Sequence, residues 1–410
     1  MERKRRLSRR QFLVGALATL GGSALTWAQR PDGMLAASGL EPELTPAAYL
    51  PFVARKHIGP PYPGKVVHIH SQDATRWAGE SSFWDYVDQD VVTQMVNRGL
   101  MELTGRGTPT DAWRSLLPAY QPGEKIAIKV NLNNTRTCDS TNSSIDALIQ
   151  PVNAVVDGLV QIGVSAADIC VFDAVRAVPD RLVDGEAHGV TFFDGIDGNW
   201  HLTTPCRTPA EFTYVPETRI QFHHPLGDVM PEVHVTDVVM NATYLINMPI
   251  MKGSHGYAGV TLGAKNYFGS LDFCSRIHDH VNVVSKPQPF YRSDYNPLVD
   301  LLGSPLLGGK MVLTIGDGLF GARDFLQPPE PWATFGDKVP NSLFFAKDPV
   351  AIDCVMHDLL AAEQVSLVPD ANNYLRLAGE AGLGVFEQGD PWQEPDGSGY
   401  QRIHYRRIEI

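Results

Sequence analysis

The sequence predicts an α/β protein: a mainly parallel sheet covered by helices on both faces, built as one body or as two packed lobes. Three observations carry that expectation. From Lys65 onward, apolar runs of strand length alternate with helical patterns, the order that parallel sheets require. The 410 residues are 43% hydrophobic and 20% charged, ordinary globular proportions for a chain long enough to bury a large core. Several strand candidates also end in a polar side chain: Asn131, Asp173, Asn247 and Asp317. In an open parallel sheet, ligands bind outside the carboxyl ends of the strands. Such residues then converge on one crevice, or alternatively they begin turns and cap helices.

Taken in order, residues 1–30 read as an address. A basic head precedes an apolar run from Phe12 to about Ala28 that contains Gly15, Gly21 and Gly22. The run is near the lower limit for spanning a bilayer, and a signal peptide is the natural reading. The segment SRRQFL at 8–13 resembles the twin-arginine export motif, with Arg9 and Arg10 as the pair. Thr26 and Ala28 are small residues suited to a peptidase site, with Ala36-Ala37 as a second candidate. The expected organisation is a signal peptide over 1–28, a Pro-, Ala- and Gly-rich linker over 29–64, a domain over 65–385, and a C-terminal extension over 386–410 packing on that domain. The expected location is outside the cytoplasmic membrane, periplasmic, extracellular or at the cell surface. The translocase would be a partner during export, with no stable transmembrane span after cleavage.

In the body, strands are expected at 65–70, 125–132, 168–175, 243–249, 310–318 and 342–348. Helices are expected at 89–103, 144–163, 260–269, 350–363 and 373–382. Over 144–163, Ile145, Leu148, Val152, Val155, Val156, Leu159 and Ile162 keep a three-four spacing. Asp348 before Pro349 fits a helix N-cap followed by its first residue. Residues 176–240 and 276–309 show no sustained period and read as insertions. Alternation over 125–132 places Ile126, Ile128, Val130 and Leu132 on one face and Ala127, Lys129 and Asn131 on the other. A lysine facing a covered layer must reach out, pair with a carboxylate or hold an anion.

Charge narrows the partners. The net charge is −12, and the first ten residues hold six of the 34 Lys and Arg and one of the 46 Asp and Glu. The remaining chain has 28 basic against 45 acidic residues, a net of −17. An acidic body argues against nucleic acid as a general partner but leaves room for a local basic pocket. The five cysteines are widely spaced and form no C-x-x-C, which excludes a ferredoxin-type cluster or zinc knuckle readable from spacing. His68 and His70 share a strand face and form a candidate metal pair, with His223, His224, His278 and His280 as further ligand types. No recognised metal-binding spacing joins them.

The richest stretch is NMPIMKGSHGYAGVTLGAKNYFG at 247–269. Glycines 253, 256 and 259 allow close backbone approach. A following helix start offers free N–H groups to an anion. Thr261 and Lys265, four apart, would share a helix face, and Lys265 would lean back toward Lys252 and His255. The run LINMPIMKGSHGYAGVTLGAKNYFG at 245–269 resembles the central motif of the DUF362 family, in-P-x-x-K-x-H-g-x-a-g-x-T-x-x-x-K-N-x-x-G. The matching positions are Pro249, Lys252, His255, Gly259, Thr261, Lys265, Asn266 and Gly269. One extra residue separates Lys252 from His255. KVNL with Lys129 and Asn131, VFDA with Asp173, GDG with Asp317, and KDPVAIDCVMHDLL with Asp348 and Asp353 extend the resemblance over about 65–385. The family has no settled general function. Some members carry ferredoxin-like cysteine motifs, which this chain lacks.

The functional expectation is an exported enzyme that binds a small anionic ligand or cofactor at the strand ends, an oxidoreductase being its more specific form. His255, Lys252 and Lys265 are the catalytic candidates, His255 because imidazole titrates near neutrality. Lys129, Asn131, Asn247, Gly253, Gly256, Gly259, Thr261, Asn266, Asp173, Asp317 and Asp353 are the ligand-binding candidates. Asp353 lies at the edge of an apolar stripe and calls for a cation: a lysine, His357 or a metal. The three aspartates would orient lysines or hold a divalent metal, and the sequence names no cofactor. The alternatives are a non-catalytic binding protein for an anionic metabolite and a structural protein with a buried charged network.

Overall fold

The computed structural model describes residues 64–139, 142–195, 205–254, 259–281, 291–365, 373–393 and 399–410. The predicted leader and the linker up to residue 63, together with His255 and Gly256, lie outside the described residues. Among the described residues, eleven strands form one sheet. They are β1 (Lys65–His70), β2 (Ile126–Val130), β3 (Ile169–Asp173), β4 (Thr191–Asp194), β5 (Thr208–Pro209), β6 (Tyr244–Met248), β7 (Ile250–Ser254), β8 (Gly259–Thr261), β9 (Met311–Ala322), β10 (Ser342–Ala346) and β11 (His404–Glu409). The order is β11-β1-β10-β9-β6-β2-β3-β4-β5, with β7 pairing β8 and β9 off that path. From β9 to β5 every neighbour is parallel. The antiparallel neighbours are β10 against both β9 and β1, and β7 against β8. No second lobe is found among the described residues; a single mostly parallel sheet organises them.

Helices cover both faces because the strands are apolar on both. One layer packs Ile126, Ile128, Val130 and Leu132 with the helices Gln89–Thr104, Pro109–Leu116 and Ile149–Gln161. The other packs Ala127, Phe172 and Leu245 with the helices Pro297–Gly303, Pro349–Ala362 and Asn373–Glu380. Asp348 caps Pro349–Ala362, accepting from the amides of Val350 (3.0 Å) and Ala351 (2.9 Å).

Three expectations are corrected. The helix expected from 144 starts at Ile149. The preceding residues are held extended: the Ile145 amide donates to Gln327 O (2.9 Å) and the Ala147 amide to Asn131 O (2.9 Å). Asp146 faces Thr135 Oγ1 at 2.7 Å. The helix expected over 260–269 divides into strand β8, a short helix Gly263–Asn266 and a 3-10 turn Tyr267–Ser270. Gly259 has φ +75° and turns the chain into β8, whose Thr261 pairs with Lys252 rather than sharing a helix with Lys265. The terminal segment does more than pack on the domain: β11 extends the sheet as a parallel edge strand beside β1. Its outward residues are charged, which discourages further edge pairing.

Candidate functional site

The strand that follows β2 in the chain, β3, lies on one side of it; β6 lies on the other. This reversal leaves a crevice outside the carboxyl ends of β2 and β6. A cavity of about 80 Å³ opens there. β2 and its exit supply Lys129, Asn131, Asn133 and Arg136, and β3 and its exit supply Asp173, Val175 and Arg176. Ser254 and Thr261 come from the β7–β8 hairpin. Lys265, Asn266, Phe268, Gly269, Cys274 and His278 come from the segment beyond it.

Asn266 is the hub of the polar floor. Its Oδ1 accepts from Asn131 Nδ2 (3.1 Å) and Lys129 Nζ (3.3 Å). Its Nδ2 donates to Asn247 Oδ1 (2.8 Å) and Lys129 O (3.3 Å). Asn247 in turn donates to Gly263 O (2.9 Å). Asn247 therefore stands behind the cavity and fixes the segment that lines it. Lys129 answers the question raised by its strand face by pairing with Asp173 Oδ2 at 3.0 Å, both groups being buried. Asp173 also accepts from the amides of Leu132 (3.3 Å) and Val175 (3.2 Å). Burial pushes the Lys129 ammonium below its ordinary pKa, and the Asp173 carboxylate opposes this. Gly269 is where a side chain cannot fit: a Cβ there would lie 2.5 Å from Lys129 Nζ and 2.7 Å from Asp173 Oδ1.

Lys265 is different. Its Nζ touches His278 Nε2 at 2.9 Å and sits 3.6 Å from the centre of the Phe268 ring. Burial pushes it down to about 7. The Cys274 sulfur opposes that shift, while Arg176, Lys252 and Lys129 add to it. His278 is driven well below the usual imidazole range by burial, then by Lys265 and Arg176; hydrogen bonds to the backbone of Ser275 and Cys274 pull the other way. With Nε2 facing the amine, Nδ1–H is the atom left for those carbonyls. Arg176 is oriented by Asn133 O (3.1 Å) and Val175 O (2.8 Å).

The other candidates are placed elsewhere. Lys252 is fully buried on β7, outside the cavity lining, and its Nζ has no hydrogen-bond partner among the described residues. Burial lowers it to about 8, with the Asp146 carboxylate opposing. Asp353 needs no cation. Its carboxylate accepts from the amides of Gly263 (2.7 Å) and Ala264 (3.0 Å) and from Tyr374 Oη (3.0 Å). It is the latch on the short helix that carries Lys265 and Asn266. Asp317 lies in β9 away from the cavity, accepts from the Leu319 amide (3.0 Å), and is pushed up to about 7 by burial. Asp173, Asp317 and Asp353 are not brought together, and no group of three metal-ligating side chains occurs among the described residues. A Cβ on Gly253 would lie 2.1 Å from Arg323 O, so this glycine serves strand packing. His68 bonds Tyr405 Oη (2.6 Å) and Ser342 Oγ (2.7 Å), and His70 bonds Glu409; neither leaves a metal-binding pair.

Arg176, His278, Cys274 and Phe268 are cavity residues that the sequence did not single out. Arg176 stands three positions beyond Asp173, at the end of the same strand. His278 offers the sequence only a metal-ligand type with no spacing to place it. A further link joins the cavity rim to the far strands: Cys138 and Cys206 form a disulfide with a Cα–Cα distance of 5.5 Å.

A family model described as "Domain of unknown function (DUF362)" matches residues 126–358. That span runs from the start of β2 into the helix Pro349–Ala362 and contains every described cavity residue. It stops short of β1 and β11, which complete the same sheet. No match was found among curated proteins.

Proposed function

This chain belongs to the DUF362 family, and since that family's description assigns no activity, we propose from the site itself an enzyme that binds a small anion and exchanges a proton with it. The observation that carries this reading is the charge around the cavity. Among the described residues that line it are four basic side chains, Lys129, Arg136, Arg176 and Lys265, and one carboxylate, Asp173, which is paired with Lys129. In a recess with low-dielectric walls that surplus favours an anion. Arg176 and Arg136 suit a carboxylate or phosphate edge. Lys265 and His278, one proton between them, form the acid–base pair. The volume favours a small molecule over a nucleotide.

The anion arm has a direct test. Sulfate, phosphate or succinate should raise the melting temperature by about 3 °C or more at roughly 100 times the Kd. The rise should shrink in Lys265→Ala and Arg176→Ala and weaken with added chloride. No rise with any of the three would remove the reading.

We also propose export by the twin-arginine route. SRRQFL at 8–13 motivates it, and a disulfide suits an oxidising compartment. No helix among the described residues is long and apolar enough to cross a membrane. Changing Arg9 and Arg10 to Lys should leave precursor in the cytoplasm, read by fractionation. Efficient export of that variant would overturn the proposal.

A further inference from the structure

We infer that Lys265 is a carbonyl-capturing amine, and that the anion this cavity takes is a small 2-oxo acid, held by its carboxylate and joined to Lys265 through its ketone carbon as an imine. This rests on the anion-binding reading and goes beyond it by naming the substrate class and the bond formed.

The two cavity lysines have opposite surroundings. Lys129 is locked to Asp173 and to Asn266 and has no freedom to react. Among the described residues, Lys265 has no carboxylate within ion-pair distance; its neighbours there are an aromatic ring and a ring nitrogen. It is 92% buried by its 8% exposure, yet it lines the open space. A primary amine, a base within hydrogen-bond reach and backbone groups that orient the base are the three parts of an activated nucleophile. His278 can fill the base role because its Nδ1–H is engaged by the turn, which leaves Nε2 to accept. The groups that set the amine's charge are Cys274, Arg176, Lys252 and Lys129, besides burial. Their sum holds a large share of Lys265 as free amine at neutral pH, where a solvated lysine is almost wholly protonated.

The second half of the substrate follows from Arg176, which lines the same cavity and lies close enough to bear on the charge of Lys265. Arg176 presents its guanidinium to the cavity with its backbone-facing donors fixed by Asn133 O and Val175 O. A molecule with a carboxylate adjacent to a ketone spans a short distance between a guanidinium and an amine. A cavity of about 80 Å³ limits it to a few carbons.

The step balances without a redox partner. The Nζ lone pair attacks the ketone carbon, forming the C–N bond and breaking the C=O π bond, while His278 Nε2 takes one proton from the nitrogen and passes it to the oxygen, giving a hydroxyl. The nitrogen lone pair then expels that hydroxyl, breaking the C–O bond and forming C=N, and the second N–H proton, relayed by His278 Nε2, leaves with it as water. Amine and ketone give imine and water.

The test uses the mature protein with pyruvate and sodium cyanoborohydride, which reduces an imine to a stable secondary amine. The expected result is one reduced pyruvyl group per chain, mapped by peptide mass spectrometry to Lys265 and suppressed by succinate. The trapping rate should rise through about pH 7 and level off above it, following the amine. His278→Asn should slow trapping about tenfold to a hundredfold. Lys265→Arg, which keeps the positive charge, should abolish it. Mapping on the unaltered chain keeps the test valid if a variant misfolds. A rise in melting temperature with succinate but no adduct at Lys265 would overturn the imine and leave the anion site standing. Neither a rise nor an adduct would overturn both. Adducts spread over surface lysines, unchanged in Lys265→Arg, would overturn the assignment to this amine.

Discussion

Asp353→Ala is expected to destabilise the folded protein by about 3 kcal/mol and to abolish the response to anions. The carboxylate has no exposed surface and is the acceptor for two backbone amides and one tyrosine hydroxyl. Alanine leaves all three donors buried without a partner, each worth about 1–3 kcal/mol. The loss is offset in part because burying the carboxylate is itself unfavourable: burial raises its pKa to about 6. The sign of the pH dependence follows. The folded state holds this proton more tightly than the unfolded chain does. That contribution is fully present below about pH 4 and is lost as pH rises through about 6. The destabilisation by Asp353→Ala should therefore be larger at pH 5 than at pH 8, as denaturant titrations at the two values would show. Tyr374→Phe removes one donor and should cost about 1 kcal/mol. An Asp353→Ala variant as stable as the parent at pH 5 would rule out the latch.

Lys129→Met is expected to cost about 3–5 kcal/mol, since it leaves the Asp173 carboxylate buried without its cation. Removing both charges as Lys129→Met with Asp173→Leu should recover only part of that loss, because the buried amides of Leu132 and Val175 then lack their acceptor. A double-mutant cycle should give a coupling of about 2–3 kcal/mol. Gly269→Ala offers an independent probe that alters neither charge. Its methyl would occupy the space of Lys129 Nζ and Asp173 Oδ1 and force the pair apart. A single Lys129→Met variant with unchanged stability would mean that the pair contributes nothing to the fold.

What the sequence discloses depends on whether the signal is local. The strands β1, β2, β3, β6 and β10 are legible because each is a mainly apolar run of strand length, as a covered sheet demands. The facing of Lys129 follows from alternation alone. β5 has two residues and β7 is Ile-Met-Lys-Gly-Ser, with no periodic signature in either. β11 is polar because it is an edge. The segment 260–269 has the Thr-x-x-x-Lys spacing of a helix turn, yet pairing of Thr261 with Lys252 takes its first part into the sheet. Within the site, Lys129, Asn131, Asp173, Thr261, Lys265 and Asn266 are legible because each stands at a strand end or within the lysine–glycine motif. The pairing of Lys265 with His278 is not, because it bridges 13 positions through a turn without period. The role of Asp353 is a tertiary fact of the same kind: its backbone partners, Gly263 and Ala264, are about 90 residues away and Tyr374 is 21 away.

If the chain is exported as proposed, the Cys138–Cys206 bond imposes an order of events. Its ends are 68 positions apart and enclose β3 and β4. A chain that crosses the membrane already folded must build those strands while both thiols are free, since the cytosol keeps them reduced. Noncovalent contacts must then hold the two cysteines in place: the Asp180 amide on Cys138 O at 2.8 Å, and the Cys206 amide on Asp194 Oδ2 at 3.0 Å. Oxidation afterwards adds about 4 kcal/mol by restricting the unfolded chain. On the proposed export route the molecule would be less durable before departure than after arrival, and the proportion of bonded molecules in a cell would count how many have completed the passage.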